Sequence, residues 1–117
     1  MERARTHYAY LLRCADGSYY AGYTVDPVRR LAAHRGGRAS RYTRGRGPQV
    51  FAALWRCPTR RAGLALERLL KRLSHARKHD LALGGALAAA SALRARRVPR
   101  RRWPSGRNRY ARINRLR

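Results

Sequence analysis

Glu67 is the residue whose type and surroundings most invite a chemical reading. The 117-residue chain carries 29 Lys and Arg but only 5 Asp and Glu. Four of the acids have ordinary places. Glu2 and Asp80 lie near segment ends, Asp16 sits in a turn sequence (Ala15-Asp16-Gly17-Ser18), and Asp26 precedes Pro27 where a helix would be capped. Glu67 falls in mid-helix, roughly 100° from the centre of the apolar stripe at 3.6 residues per turn. A pairing with Lys71 at i, i+4 explains it structurally but is worth only a few tenths of a kcal/mol. A lone carboxylate among arginines weakens polyanion binding unless it holds a cation, and metal-assisted phosphodiester chemistry needs such an oxygen ligand.

The tyrosines form a second group. Five of seven fall between positions 8 and 23. Tyr8 and Tyr10 share one face of a strand, and Tyr20 lies across the hairpin; aromatic cross-strand packing alone accounts for this. A phenol can also serve as a base where surrounding cations favour phenolate, and cations are in excess here. Arg30 and His34 stand four apart, on one helix face, which is either a solvated face or a pair aimed at an anion. Tyr42 sits between Arg41 and Arg44 in a stretch without apolar periodicity and reads as loop packing or as an anion contact.

These residues together resemble the GIY-YIG nuclease superfamily, in its small stand-alone branch. The resemblance rests on Tyr8-Ala9-Tyr10, then Tyr20-Ala21-Gly22 ten residues on, then Arg30 through His34. It continues through Arg41-Tyr42-Thr43-Arg44-Gly45-Arg46-Gly47-Pro48 and Glu67 with Lys71, covering residues 6 to about 83. Tyr8 stands where the first motif has its glycine, Ala21 replaces an isoleucine, and Gly63 replaces the usual alanine of the glutamate helix. The resemblance implies a divalent-metal-dependent endonuclease, with Glu67 holding Mg²⁺ or Mn²⁺. It further implies that Tyr10 or Tyr20 orients or deprotonates water, that Arg30 stabilises charge on the phosphorane, and that His34 and Tyr42 contact phosphate or relay protons. Arg41, Arg44, Arg46 and Lys71, together with Arg100, Arg101 and Arg102, are expected to meet nucleic acid.

These groups need a scaffold to bring them together. Residues 6–14 and 19–24 read as a β-hairpin, with Gly22 marking a bulge or a close backbone approach. A helix starts at Asp26-Pro27, carries Val28, Leu31 and Ala32 inward and ends near Gly36-Gly37. Residues 36–49 read as loop and residues 50–55 as a third strand. Residues 60–73 form a helix with a core stripe of Ala62, Leu66, Leu69, Leu70 and Leu73, and a further helix covers 75–83. Residues 86–95 are helix-prone, and the Arg-rich stretch after 95 reads as a disordered or fold-on-binding tail. The expected fold is α/β (α+β), a three-stranded sheet with an antiparallel hairpin flanked by helices. The nuclease domain is expected over residues 1–83 and the tail over 84–117.

The net charge of +24 divides into +13 for residues 1–80 and +11 for residues 81–117. Such a charge selects polyanions, and phosphate contacts release counterions. DNA is the expected partner, with RNA the alternative. Structure-directed cutting of the kind used in DNA repair or recombination fits better than sequence-directed cutting, because no zinc finger or helix-turn-helix pattern is present. A non-catalytic nucleic-acid-binding module is the competing function, and a membrane-surface binder is the weaker one. No apolar run reaches 18 residues, so no membrane span is expected. No export signal is read, which points to the cytoplasm, with nucleoid association consistent with the charge. No obligate protein partner is indicated. Cys14 and Cys57 lack metal-ligand spacing and are expected as small core residues.

Overall fold

The β-prone segment His7–Cys14 forms β1, and a turn with Gly17 at φ +85° returns the chain as β2 (Tyr19–Thr24). The two strands pair antiparallel, with Tyr8 opposite Thr24, Tyr10 opposite Gly22 and Leu12 opposite Tyr20. Asp26 then caps α1 (Pro27–Arg35), its side chain accepting from the Arg29 amide. After a short helix α2 (Arg41–Arg44), strand β3 (Gln49–Cys57) pairs antiparallel with the other side of β1. Its register slips between Leu11, opposite Ala53, and Leu12, opposite Phe51, so Ala52 is the extra residue of a bulge. Three helices follow: α3 (Arg60–Arg72), capped by Thr59, α4 (His75–Ala82), capped by Ser74, and α5 (Ala88–Ala92). A two-residue strand β4 (Arg96–Arg97) joins β3, and a 3₁₀ turn spans Arg100–Arg102. The computed structural model describes residues 5–47 and 49–104.

The result is a mixed α/β fold around one antiparallel sheet of order β2-β1-β3-β4. Apolar residues alternate along the strands, so each face has its own core. Ala9, Leu11, Ala53 and Trp55 meet Ala62, Leu66 and Leu70 of α3, Leu81 of α4 and Ala90 of α5. On the other face Tyr10, Leu12, Phe51 and Leu54 meet Leu31 of α1, with Tyr8, Tyr20, Val98 and Trp103 at the margin. Cys14 and Cys57 are free and buried.

The structure departs from the sequence expectation in four places. The sheet has four strands, because the chain after α5 returns to β3. There Val98 donates its amide to the Leu54 carbonyl (2.8 Å), and the Arg97 guanidinium donates to the carbonyls of Leu81 (2.6 Å) and Gly85 (3.2 Å). The arginine density hid this anchor, which depends on two apolar residues, Val98 and Trp103. The expected disordered tail is therefore ordered through its first part, and residues 105–117 lie outside the described residues. Residues 41–44, expected as loop, are helical because the Ser40 side chain accepts from the Tyr42 amide. The helix expected over 86–95 is confined to Ala88–Ala92, whose N-terminus lacks a side-chain cap. Val28, expected inward, is exposed, and Leu31 alone of the three anchoring residues of α1 is fully buried.

Gly63 has a steric reason. A Cβ there would lie 2.8 Å from Cε2 of Tyr23, whose hydroxyl is held by the His7 ring at 2.6 Å. Glycine in mid-helix costs up to about 1 kcal/mol relative to alanine, so this close approach outweighs helix propensity. Gly63→Ala is expected to lower stability in urea denaturation. In a Tyr23→Ala background the same substitution is expected to raise it by up to about 1 kcal/mol.

Candidate active site

Tyr10 lies at the centre of the face covered by α1, and its cross-strand partner is Gly22. A Cβ at Gly22 would overlap the Tyr10 hydroxyl and ring. Gly22 is thus the close backbone approach expected from the sequence, and the approaching group is the phenol itself. The Tyr10 side chain is fully buried. Its oxygen accepts from Arg30 Nε at 3.3 Å and lies 2.8 Å from His34 Nε2.

The protons of this group can be assigned. Thr43 Oγ1 donates to the Ser40 carbonyl at 3.3 Å, a group that can only accept. His34 Nδ1, 3.0 Å from the same hydroxyl, therefore donates to Thr43 Oγ1. Neutral His34 then accepts the Tyr10 proton at Nε2. The chain runs from Arg30 through Tyr10, His34 and Thr43 to the backbone of the α2 cap. Burial, and next the Arg30 charge, push the His34 pKa down to about 4. Burial pushes Tyr10 up to about 12, outweighing the hydrogen bond and charge of Arg30 that act the other way. At Tyr10 desolvation exceeds the single nearby guanidinium, so burial opposes the phenolate that abundant cations would favour.

A second series of rings leads outward. Tyr20 is partly exposed, with its ring 5.0 Å from that of His34 and 5.8 Å from that of Tyr42. Tyr42 is 39% exposed, and the Arg46 guanidinium lies 4.0 Å over its ring. Asp16 fixes Arg46 with a 3.0 Å ion pair. Tyr10, Tyr20, Arg30, His34, Tyr42 and Arg46 therefore belong to one connected cluster.

Glu67 and Lys71 form a separate pair on α3, with Oε2 3.6 Å from Nζ and only 19% of the Glu67 side chain exposed. The Glu67 charge is still felt at Tyr10, where it is the smallest of the influences on the phenol. Arg41 and Arg44 are exposed on α2, with Arg44 Nε donating to the Gly37 carbonyl. Arg100, Arg101 and Arg102 lie on the 3₁₀ turn, beyond β4. Thr43, Arg35 and Gln49 were not singled out from the sequence. Thr43 sets the His34 tautomer, and Arg35 Nε donates to the Gln49 carbonyl at 2.8 Å. Gln49 Nε2 in turn donates to the Thr43 carbonyl at 2.8 Å, tying α1, α2 and β3 together. The one available signal was Ser40 followed by Arg41-Tyr42-Thr43, an N-cap pattern inside an apparent loop.

The His34 environment carries a pH signature. Between its ordinary value of 6.5 and about 4, the unfolded chain binds a proton that the folded chain refuses. This contribution is intact above pH 6.5 and is lost as pH falls toward 4, by up to about 3 kcal/mol. Urea midpoints of the wild type are expected to fall across that window more steeply than those of His34→Gln.

Comparison with known proteins identifies the family. The family model described as the GIY-YIG catalytic domain matches residues 6–80. The chain is 44% identical over 75 residues to a UPF0213 protein of Halalkalibacterium halodurans, covering 64% of this chain and 80% of that one. It is 39% identical over 75 residues to a UPF0213 protein of Halobacterium salinarum, covering 64% of this chain and 97% of that one. A solution NMR structure of a UPF0213 protein from Bacillus halodurans aligns with 74% of this chain and 93% of its own at 40% identity, with a TM-score of 0.44. The matched span contains the tyrosine, arginine and histidine cluster together with Glu67, and the chain belongs to the GIY-YIG family of nuclease-type catalytic domains.

Proposed function

We propose that this protein is a divalent-metal-dependent endonuclease that hydrolyses phosphodiester bonds of DNA. One observation carries the reading: a buried Tyr10–His34–Thr43 proton chain holds Arg30 beside a partly exposed aromatic series.

Arg30 donates only its Nε–H among the described residues, so its terminal nitrogens are left for a phosphate oxygen. A planar guanidinium suits charge that develops on such a centre. Tyr10 keeps its proton, because its acceptor His34 has a pKa far below that of the phenol. Its role is to aim Arg30 and to hold His34 neutral. Tyr20 reaches solvent and is the phenol that meets the attacking water. Tyr42, partly exposed and stacked with Arg46, flanks the path of the strand beyond the scissile bond.

No group of three or more His, Cys, Asp or Glu converges among the described residues. Glu67 therefore fits a hard cation that keeps most of its waters, Mg²⁺ or Mn²⁺, rather than a fully protein-ligated metal. When bound, that ion supplies charge neutralisation at the phosphate. The electrostatics favour this use of Glu67, since its ion-pair partner among the described residues, Lys71, is exposed and worth little.

Nicking of supercoiled plasmid with Mg²⁺ or Mn²⁺, and cleavage of a panel of branched, flapped and single-stranded DNAs, test the reading. Glu67→Ala and Tyr20→Phe are each expected to lower the rate by about 10² or more, with DNA binding retained. Equal cutting by wild type and variants, or no cutting of any substrate, would leave a non-catalytic nucleic-acid-binding module on the same scaffold.

A further inference from the structure

The proton chain and the aromatic series leave one end of the same sheet face unused. Cross-strand register sets Thr24, Tyr8, Arg56 and Arg96 in one row across β2, β1, β3 and β4. This row is two residues along β1 from Tyr10, on the same face. Beside it opens a cleft of about 440 Å³, lined by Tyr8, Leu54, Arg56, Arg96, Val98 and Arg102, among others. Its outer wall, residues 96–102, lies beyond the matched family domain, which ends at residue 80.

The charges in this cleft are not used by the fold. Arg56, Arg96 and Arg102 are exposed, and none of them enters an ion pair or a side-chain hydrogen bond among the described residues. Arg97 differs, since its guanidinium is spent on two carbonyls on the Trp55 side. Like charges directly opposite on adjacent strands destabilise a sheet by a few tenths of a kcal/mol or more, and Arg56 faces Arg96 directly. An anion bridging the two removes that cost. The row from Tyr8 to Arg96 spans two inter-strand steps, about 10 Å, which is longer than a single small anion and suits an extended polyanion. Its described lining is half arginine with one phenol, which suits a phosphate backbone better than a lipid surface.

We infer that Tyr8, Arg56, Arg96 and Arg102 form a backbone-phosphate subsite that holds a nucleic-acid strand alongside the Tyr10–Arg30 centre. Its purpose rests on the nuclease reading above, but its binding does not. Tyr8, which replaces the glycine of the first motif, acquires a use as a lining residue of the subsite, two residues along β1 from Tyr10.

The test is fluorescence anisotropy of a labelled oligonucleotide with the full chain in EDTA, so that no cleavage intervenes, across about 50 to 200 mM salt. Arg56→Gln with Arg96→Gln is expected to flatten the slope of log affinity against log salt by about 2, at about 0.9 for each phosphate no longer neutralised. Its unfolding midpoint is expected to hold or rise, because the repulsion is relieved. Arg60→Gln with Arg61→Gln, the same charge change at the start of α3, is expected to alter the slope far less. If the double variant fails to fold, Arg102→Gln, outside the sheet, is expected to flatten the slope by about 0.9. An unchanged slope in folded variants, or an equal flattening in the α3 control, overturns the subsite. If the double variant loses binding to phosphatidylglycerol vesicles that the wild type shows, while its oligonucleotide slope is unchanged, the cleft belongs to a membrane and the subsite is overturned as well. A flattened slope in a protein that cuts nothing leaves the subsite standing and removes only the nuclease reading.

Discussion

The packing of the Tyr10 phenol against the bare backbone of Gly22 is the constraint on which the rest of the site depends. A tyrosine can be fully buried in the middle of a sheet only if its hydroxyl finds partners and its ring finds room. Gly22 supplies the room, and Arg30 and His34 supply the partners. Both partners come from α1, so the same contact fixes how that helix lies on the sheet. His34 hands the constraint on to Thr43, and Thr43 to the cap of α2, so that a four-residue helix in a glycine-rich stretch acquires a defined place. Tyr20, Tyr42 and Arg46 are then ordered by contact with groups already fixed.

This explains why the two charged helices behave differently. On α1 the cationic residue and the imidazole are drawn into a buried polar network, and burial governs the protonation of His34. On α3 the carboxylate and the lysine remain an ordinary i, i+4 pair near the surface, reached by the network only through space. The hydrogen-bonded cluster around α1 is thus fixed by its own partners, while the Glu67–Lys71 pair on α3 stands apart from it.

The sequence was legible where chemistry and period coincide. The hairpin, the capped helices at Asp26 and Thr59, and the stripe of Ala62, Leu66 and Leu70 follow from alternation, capping and 3.6-residue spacing. The candidate residues were legible as types, and the structure gathers Tyr10, Tyr20, Arg30, His34 and Tyr42 as one cluster. What was not legible depends on three-dimensional closure. Whether Arg30 or burial dominates at Tyr10 is decided by how many guanidiniums lie near the phenol, and composition overstates that number. The return of the chain as β4 depends on Val98 and Trp103 finding the margin of a core that no local pattern reveals. Thr43 looks like any loop threonine until His34 is seen to lean on it.

The short strand β4 also bears on how copies of this protein can meet. An open sheet offers its outermost strands for pairing with a neighbour, and long, neutral, apolar edges invite it. Here β3 is covered by a strand of only two residues, both arginine. Joining two molecules through this border would set Arg96 and Arg97 of one copy against those of the other, with little backbone ladder to compensate. Where β4 covers Trp55 and Arg56, like charges thus oppose a continuous sheet across two copies, and an anion of opposite charge is met instead.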